Sequence, residues 1–270
     1  DFLHPHRIVV GADEPAIAVR VFELYKGVQA PVVVTDAASA EIIKYASNAF
    51  LATKVSFINA IANLCESVSA DVRNVALGMG YDPRIGFEFL QPGPGWGGSC
   101  FPKDTAALLH AARGAGYDFS LLEGVVEVNE AQRHRMVAKV RDAHGGPLAG
   151  ARIAAWGLTF KANTDDLRDS PAVAIADRLV AEGAEVRAYD PAASDATQDV
   201  LPTLQVVSDP YEACAGADVL VVLTEWDEFR WLDFDRVAAA MVSPTIVDTR
   251  NLLDPAAMRR RGFSYVGVGR

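Results

Sequence analysis

The chain has 270 residues, half of them hydrophobic and 22% charged, which is enough apolar material for a packed core and argues against a disordered polymer. Its net charge of -10 argues against nucleic acid or an anionic membrane as partner, though a few local cations would suffice to hold a phosphorylated small molecule. Cys65, Cys100 and Cys214 are odd in number and far apart, which argues against a disulfide framework or a zinc site and points to a reducing, cytoplasmic setting. No apolar stretch reaches the length of a membrane span, and no signal peptide opens the sequence.

In chain order, residues 7–10 read as a short strand, 15–25 as a helix with Ile17, Val21, Leu24 and Tyr25 on one side, and 32–35 as a second strand. Asp1 stands mid-pattern, so residues 1–35 read as the end of a sheet whose beginning lies elsewhere. Thr35 or Asp36 then caps a long helix running to about Ser69. Ile42, Phe50, Leu51, Val55, Ile58, Ile61 and Leu64 surround much of that helix, and a helix apolar all round is buried or packs on a second subunit. Cys65 belongs to this packing surface. Lys44 and Asn48 are four residues apart and share a face, which on a buried helix points to a site. A shorter helix covers 71–79, stopped by Gly80, and residues 82–86 turn the chain.

There follows Gly93-Pro-Gly-Trp-Gly-Gly-Ser-Cys-Phe-Pro-Lys-Asp104. Gly93, Gly95, Gly97 and Gly98 leave no Cβ between the backbone and an approaching ligand. Ser99 reads as a helix cap, Pro102 suits a first turn, and 106–112 continues the helix. Cys100 therefore stands at a helix N-terminus, where free N–H groups and the helix dipole favour a thiolate, and Lys103 adds positive charge. Asp104 lies one turn further on. An activated thiol, a cation and a carboxylate beside a glycine loop read as a covalent-catalysis site. Gly93, Gly95 and Gly98 also fit G-x-G-x-x-G, but no β-branched strand leads into them, so the dinucleotide reading fails. The helix ends at 114–116, Ser120 caps another running to about Ala143, and Gly145-Gly146-Pro147 marks a domain boundary.

From residue 148 short apolar strands at 152–156, 185–189, 204–207, 218–223, 245–248 and 264–268 alternate with helices at 172–181, around Cys214 and at 234–241. This is the pattern of an α/β, doubly wound parallel sheet. Ligands of such a sheet bind beyond the carboxyl ends of its strands. There the sequence places Lys161, the run 165–168 ending in Arg168, Asp190, and Asp248-Thr249-Arg250, with cations suited to a diphosphate.

Gly97-Gly98-Ser99-Cys100-Phe101-Pro102-Lys103-Asp104 resembles the catalytic-cysteine motif of the UDP-glucose/GDP-mannose dehydrogenase family. Glu41-Ile-Ile-Lys44-Tyr-Ala-Ser-Asn48 matches that family's Glu-x-x-Lys-x-x-x-Asn, and Phe160-Lys161 with 165–170 resembles a third signature, so the resemblance covers the whole chain. It implies NAD-dependent, four-electron oxidation of a nucleotide-sugar C6 alcohol to a carboxylate through a thiohemiacetal and a thioester on Cys100. UDP-glucose is favoured by the loop 92–98, with GDP-mannose and UDP-N-acetylhexosamine as alternatives. By the same resemblance Lys44 would stabilise an oxyanion, and Asn48 and Asp104 would position water, Asp104 as general base. Phe89, Leu90, Gly93, Trp96, Gly97, Phe101, Lys161 and Arg250 would contact the UDP-sugar, and Arg84 would reach the substrate of a neighbouring subunit. Lys103 and Arg168 would lie near NAD, with no metal involved and a homodimer or larger homo-oligomer built on the long helix.

The implied regions are 1–35, the end of an NAD-binding domain; 36–147, a dimerising region with the catalytic cysteine; and 148–270, a Rossmann-like nucleotide-sugar domain. Without a glycine fingerprint, residues 1–270 alone are expected to bind a UDP-sugar weakly, to bind no NAD and to turn nothing over. A binding and dimerising module without redox activity is the reading from another class. A thiol hydrolase would need a histidine partner for Cys100, and His4, His6, His110, His134 and His144 show no such motif.

Overall fold

The computed structural model describes residues 3–193 and 195–270. Strand β1 (Ile8–Gly11), helix α1 (Pro15–Glu23) and strand β2 (Val32–Thr35) form a small parallel unit in the register Ile8–Val32 to Gly11–Thr35. Asp36 then opens α2 (Ala37–Val68) by accepting the Ser39 N–H at 2.8 Å, which satisfies one of the orphan donors of the first turn. Ser69 ends the helix in a left-handed conformation, φ 57°. Asp71 opens α3 (Val72–Gly80) through the Arg73 N–H. The long loop that follows leads into α4 (Phe101–Gly114), and α5 (Ser120–His144) completes a helical layer packed along α2.

Two helix caps differ from expectation. The N-cap of α4 is Cys100 rather than Ser99, and that of α5 is Phe119, with Ser120 already helical. Neither cap side chain accepts a hydrogen bond from the first turn, so the path of the incoming loop, and not local capping, sets where these helices begin.

Beyond residue 148 come β3 (Arg152–Trp156), α6 (Pro171–Ala181), β4 (Glu185–Tyr189), α7 (Asp195–Val200), β5 (Gln205–Val206), α8 (Pro210–Cys214), β6 (Val219–Val222), α9 (Phe234–Ala240), β7 (Thr245–Asp248), α10 (Pro255–Arg260) and β8 (Ser264–Val266). The strands form one parallel sheet in the order β5-β4-β3-β6-β7-β8. The chain reverses its winding between β3 and β6, which opens a crevice at their carboxyl ends. Every residue of β6 and β7 is buried, as central strands covered on both faces require.

One face packs Ile153, Leu158 and Ile175 against Ile58 and Ala62 of α2 and Met136 of α5 in a single hydrophobic cluster. The patterning change at 147 therefore marks the first strand of the larger sheet and leaves no gap in the core. The other face holds Trp156 stacked on Phe229, with centroids 5.2 Å apart, and Phe234 and Phe263 beside them. The last described residues return to the helical layer. The Gly269 carbonyl accepts the Val72 N–H at 2.9 Å, and its own N–H donates to the Glu66 carboxylate at 2.7 Å. A Cβ at 269 would fall 2.6 Å from Val72 and 2.8 Å from Ala62, so only glycine seats there. Among the described residues no helix is long and apolar enough to cross a membrane, and no group of His, Cys, Asp and Glu could hold a metal ion.

Candidate active site

Cys100 is exposed at the head of α4, whereas Cys65 and Cys214 are buried. Burial pushes the Cys214 thiol up to about 12, which leaves it inert at neutral pH. One turn along α4, Asp104 is 1% exposed. Burial alone would raise its carboxyl. Lys103 Nζ at 2.7 Å, Lys44 Nζ at 3.0 Å and Asn48 Nδ2 at 2.5 Å outweigh that and hold it at about 2. Lys44 and Asn48 reach the same oxygen because their four-residue spacing puts them on the face of α2 that meets α4. The Lys103 ammonium is held above its ordinary range, first by Asp104 and to a smaller degree by Cys100.

A carboxylate held at about 2, with both oxygens occupied, is a poor proton acceptor at neutral pH. The geometry makes Asp104 the anchor of Lys44 and Asn48. Arg168 is raised by its two-point bond to Asp166, at 2.9 and 2.8 Å, with Cys100 again a smaller contributor.

The glycine loop departs further from expectation. A Cβ at Gly97 would fall 2.0 Å from the Asp169 carbonyl oxygen, and one at Gly98 would fall 2.8 Å from the Phe160 ring. At these positions the missing side chain admits another segment of the protein. The Trp96 indole is buried, donates to Ser56 Oγ at 2.9 Å and packs on Phe101 at 6.3 Å between centroids. The Trp96 ring and the α-carbon of Gly97 thus pack within the protein. Phe101 also meets Phe89, at 6.2 Å, and Phe89 takes a left-handed φ of 63°. The Leu90 side chain is 4% exposed and belongs to the main core, while the same residue lines one wall of a cleft.

That cleft, about 490 Å³, lies between α3, the loop through Gln91 and the ends of β6 and β7, with Phe87, Leu90, Arg250 and Asn251 among its walls. Arg250 ties it together. Its Nε donates to the Leu223 carbonyl at 2.9 Å, its Nη2 to the Phe160 carbonyl at 3.1 Å, and Glu225 pairs with it at 3.1 Å. Its backbone N–H is fixed at 3.0 Å by Asp248, whose burial pushes the carboxyl up while the N–H groups of Leu253, Leu252 and Arg250 and the Tyr265 hydroxyl pull it back. A Cβ at Gly93 would sit 3.6 Å from Arg250 Nη1, so loop and arginine share a wall. Lys161 is exposed, 5.4 Å from the Phe160 ring, on a loop whose Leu158 and Thr159 N–H groups are held by buried Asp190. Arg84 is bound to Asp82 two residues earlier and is not among the residues lining the cleft.

Sequence reasoning missed Ser56, Asn59, Asn129 and Gln132, which hold the loop from behind. The available signal was a run of polar residues at helical spacing: Ser56, Asn59 and Asn63 on the apolar α2, and Asn129 and Gln132 on α5.

Residues 38–131 match the family model described as UDP-glucose/GDP-mannose dehydrogenase family, central domain, and residues 154–255 match the UDP binding domain of the same family. The whole chain is 48% identical to a UDP-glucose 6-dehydrogenase of Rhizobium meliloti (strain 1021) and spans 63% of that relative's length. It is 45% identical to a Bacillus subtilis (strain 168) UDP-glucose 6-dehydrogenase, spanning 61% of it. Among solved structures, a UDP-glucose dehydrogenase from Pyrobaculum islandicum superposes with a TM-score of 0.89 at 34% identity over 100% of this chain and 60% of that one.

Proposed function

This chain belongs to the UDP-glucose/GDP-mannose dehydrogenase family, and from that premise we propose that it serves the NAD-dependent oxidation of a nucleotide-sugar C6 alcohol to a carboxylate, with UDP-glucose giving UDP-glucuronate. The observation that carries this reading is the exposed Cys100 at the head of α4, one turn from an Asp104 that pins Lys44 and Asn48. When bound, NAD would supply the hydride acceptor for both oxidations; Lys103, paired with Asp104, and Arg168, paired with Asp166, are the cations that would face its anionic part.

Once C6 is an aldehyde, the Cys100 thiolate adds to it, and the thiohemiacetal gives up a hydride to become a thioester. Water then cleaves the thioester, releasing the carboxylate and the thiol. Lys44, held in place by Asp104, stabilises the oxyanion at C6, and Asn48 orients water. Arg250 and Lys161, at the strand ends, serve the diphosphate. UDP-glucose is preferred over GDP-mannose and UDP-N-acetylhexosamine because the relatives at 48% and 45% identity are UDP-glucose enzymes. The exposed apolar stripe of α2 supports a homodimer, and the free thiols suit a reducing, cytoplasmic compartment.

The test pairs calorimetric titration with UDP and an NAD-reduction assay across a panel of nucleotide sugars. UDP should bind this chain weakly, and in the full-length enzyme Cys100→Ala should abolish carboxylate formation while Cys65→Ala and Cys214→Ala preserve it. Undiminished turnover by Cys100→Ala would sink the assignment.

A further inference from the structure

The loop between the cleft and Cys100 has no strand partner of its own, yet its backbone is gripped at two points by buried side chains. Gly93 is held at both of its polar groups: its N–H donates to Asn59 Oδ1 at 2.8 Å, and its carbonyl accepts from Gln132 Nε2 at 2.8 Å. Trp96 is held in the same way by one residue. Its N–H donates to Asn129 Oδ1 at 2.8 Å, and Asn129 Nδ2 donates back to its carbonyl at 3.0 Å, with Arg133 Nη2 joining at 3.2 Å. Asn59, Gln132 and Asn129 are 0%, 1% and 4% exposed, and Asn63 donates to the Gln132 oxygen at 2.9 Å, which fixes which way that amide faces.

A primary amide carries both a donor and an acceptor, so it can stand in for a neighbouring strand. Keeping one in a helix interior is costly unless it bonds, and an aliphatic residue would pack there at less cost. The two grips also face different neighbours. Gly93 lies against Arg250 at the cleft, and Trp96 stands just before the turn that delivers Cys100. Gly95, at φ 121°, separates them.

We propose that these amides are positioning residues acting at two separable points. Asn59 with Gln132 sets the wall of the nucleotide cleft against Arg250, and Asn129 sets Cys100 at the head of α4. The assignment of cleft and thiol rests on the function proposed above.

The test uses two readouts on the chain. One is the rate of Cys100 alkylation by iodoacetamide, which the buried Cys65 and Cys214 do not confuse; the other is the affinity for UDP by calorimetry. Asn129→Leu should change the alkylation rate about five-fold or more and leave UDP affinity within about two-fold. Gln132→Met should weaken UDP about ten-fold, the size of one misplaced charge-assisted contact, and leave alkylation within about two-fold. Should either variant fail to fold, Asn129→Asp keeps the shape and the acceptor half of its grip, and Gln132→Glu keeps the shape and the bond from Asn63 while losing only the donor to Gly93. If both readouts move together with a lowered Tm, or neither moves, the proposal is overturned. If wild type binds no UDP, the nucleotide reading falls by itself. Alkylation then decides the grip on Trp96: a change with Asn129→Leu but not Gln132→Met supports it, and no change overturns it.

Discussion

At the scale of the residue, the chemistry turns on how Asp104 holds its neighbours. Lys44→Ala removes the ammonium assigned to the oxyanion, and steady-state kinetics of the full-length enzyme should show kcat lower by about a hundred-fold or more with KM little changed, in line with losing one preorganised donor. Asp104→Asn leaves Lys44 and Lys103 facing each other unpaired and should cut kcat as well. The same carboxylate predicts a pH effect of definite sign. Its folded-state value of about 2 lies below the ordinary carboxylate value, so the stability it contributes is complete above pH about 4 and is lost as pH falls toward 2. The contribution is about 1–2 kcal/mol, since the partner ammonium groups are largely exposed and screened. Urea titrations at descending pH should show this loss in wild type and its absence in Asp104→Asn.

At the scale of the element, glycines that look alike in sequence differ in kind. Gly97→Ala drives a Cβ into the Asp169 carbonyl and should lower stability by about 2–3 kcal/mol, read as a fall in Tm. Gly124→Ala, inside α5 with nothing near its Cβ position, should raise it by about 0.5–1 kcal/mol. This distinction marks how far the sequence could be read. Strands β4 and β7 were legible to the residue and the span of α2 to within a residue or so, because periodicity and a cap at Thr35 or Asp36 are local signals. So was the pairing of Lys44 with Asn48. The start of α5, the short helices α7 and α10, and the burial of Trp96 were not, because each is decided by what packs against it from elsewhere in the chain. Nor could the sequence show that the segment around Asp169 and Phe160 takes the space beside Gly97 and Gly98.

At the scale of the whole molecule, α2 leaves Phe50, Phe57 and Leu64 exposed at seven-residue intervals, a stripe suited to a second helix. Light scattering at micromolar concentration should report a dimer, and Phe50→Asp with Phe57→Asp should give a monomer; a wild-type monomer would refute the interface. The hydrophobic cluster shared by α2, α5 and the six-stranded sheet should make heat unfolding a single calorimetric transition, with no separate melting of 148–270. The return of Gly269 to Val72 and Glu66 has a consequence in time. A chain made from its N-terminus forms the helical layer first, yet the seat between Ala62 and Val72 stays empty until residues 267–270 have left the ribosome. Until then the start of α3, and with it one wall of the cleft, lacks its last contact, so the nascent protein should stay open to protease at α3 and become resistant only when synthesis has passed Gly269.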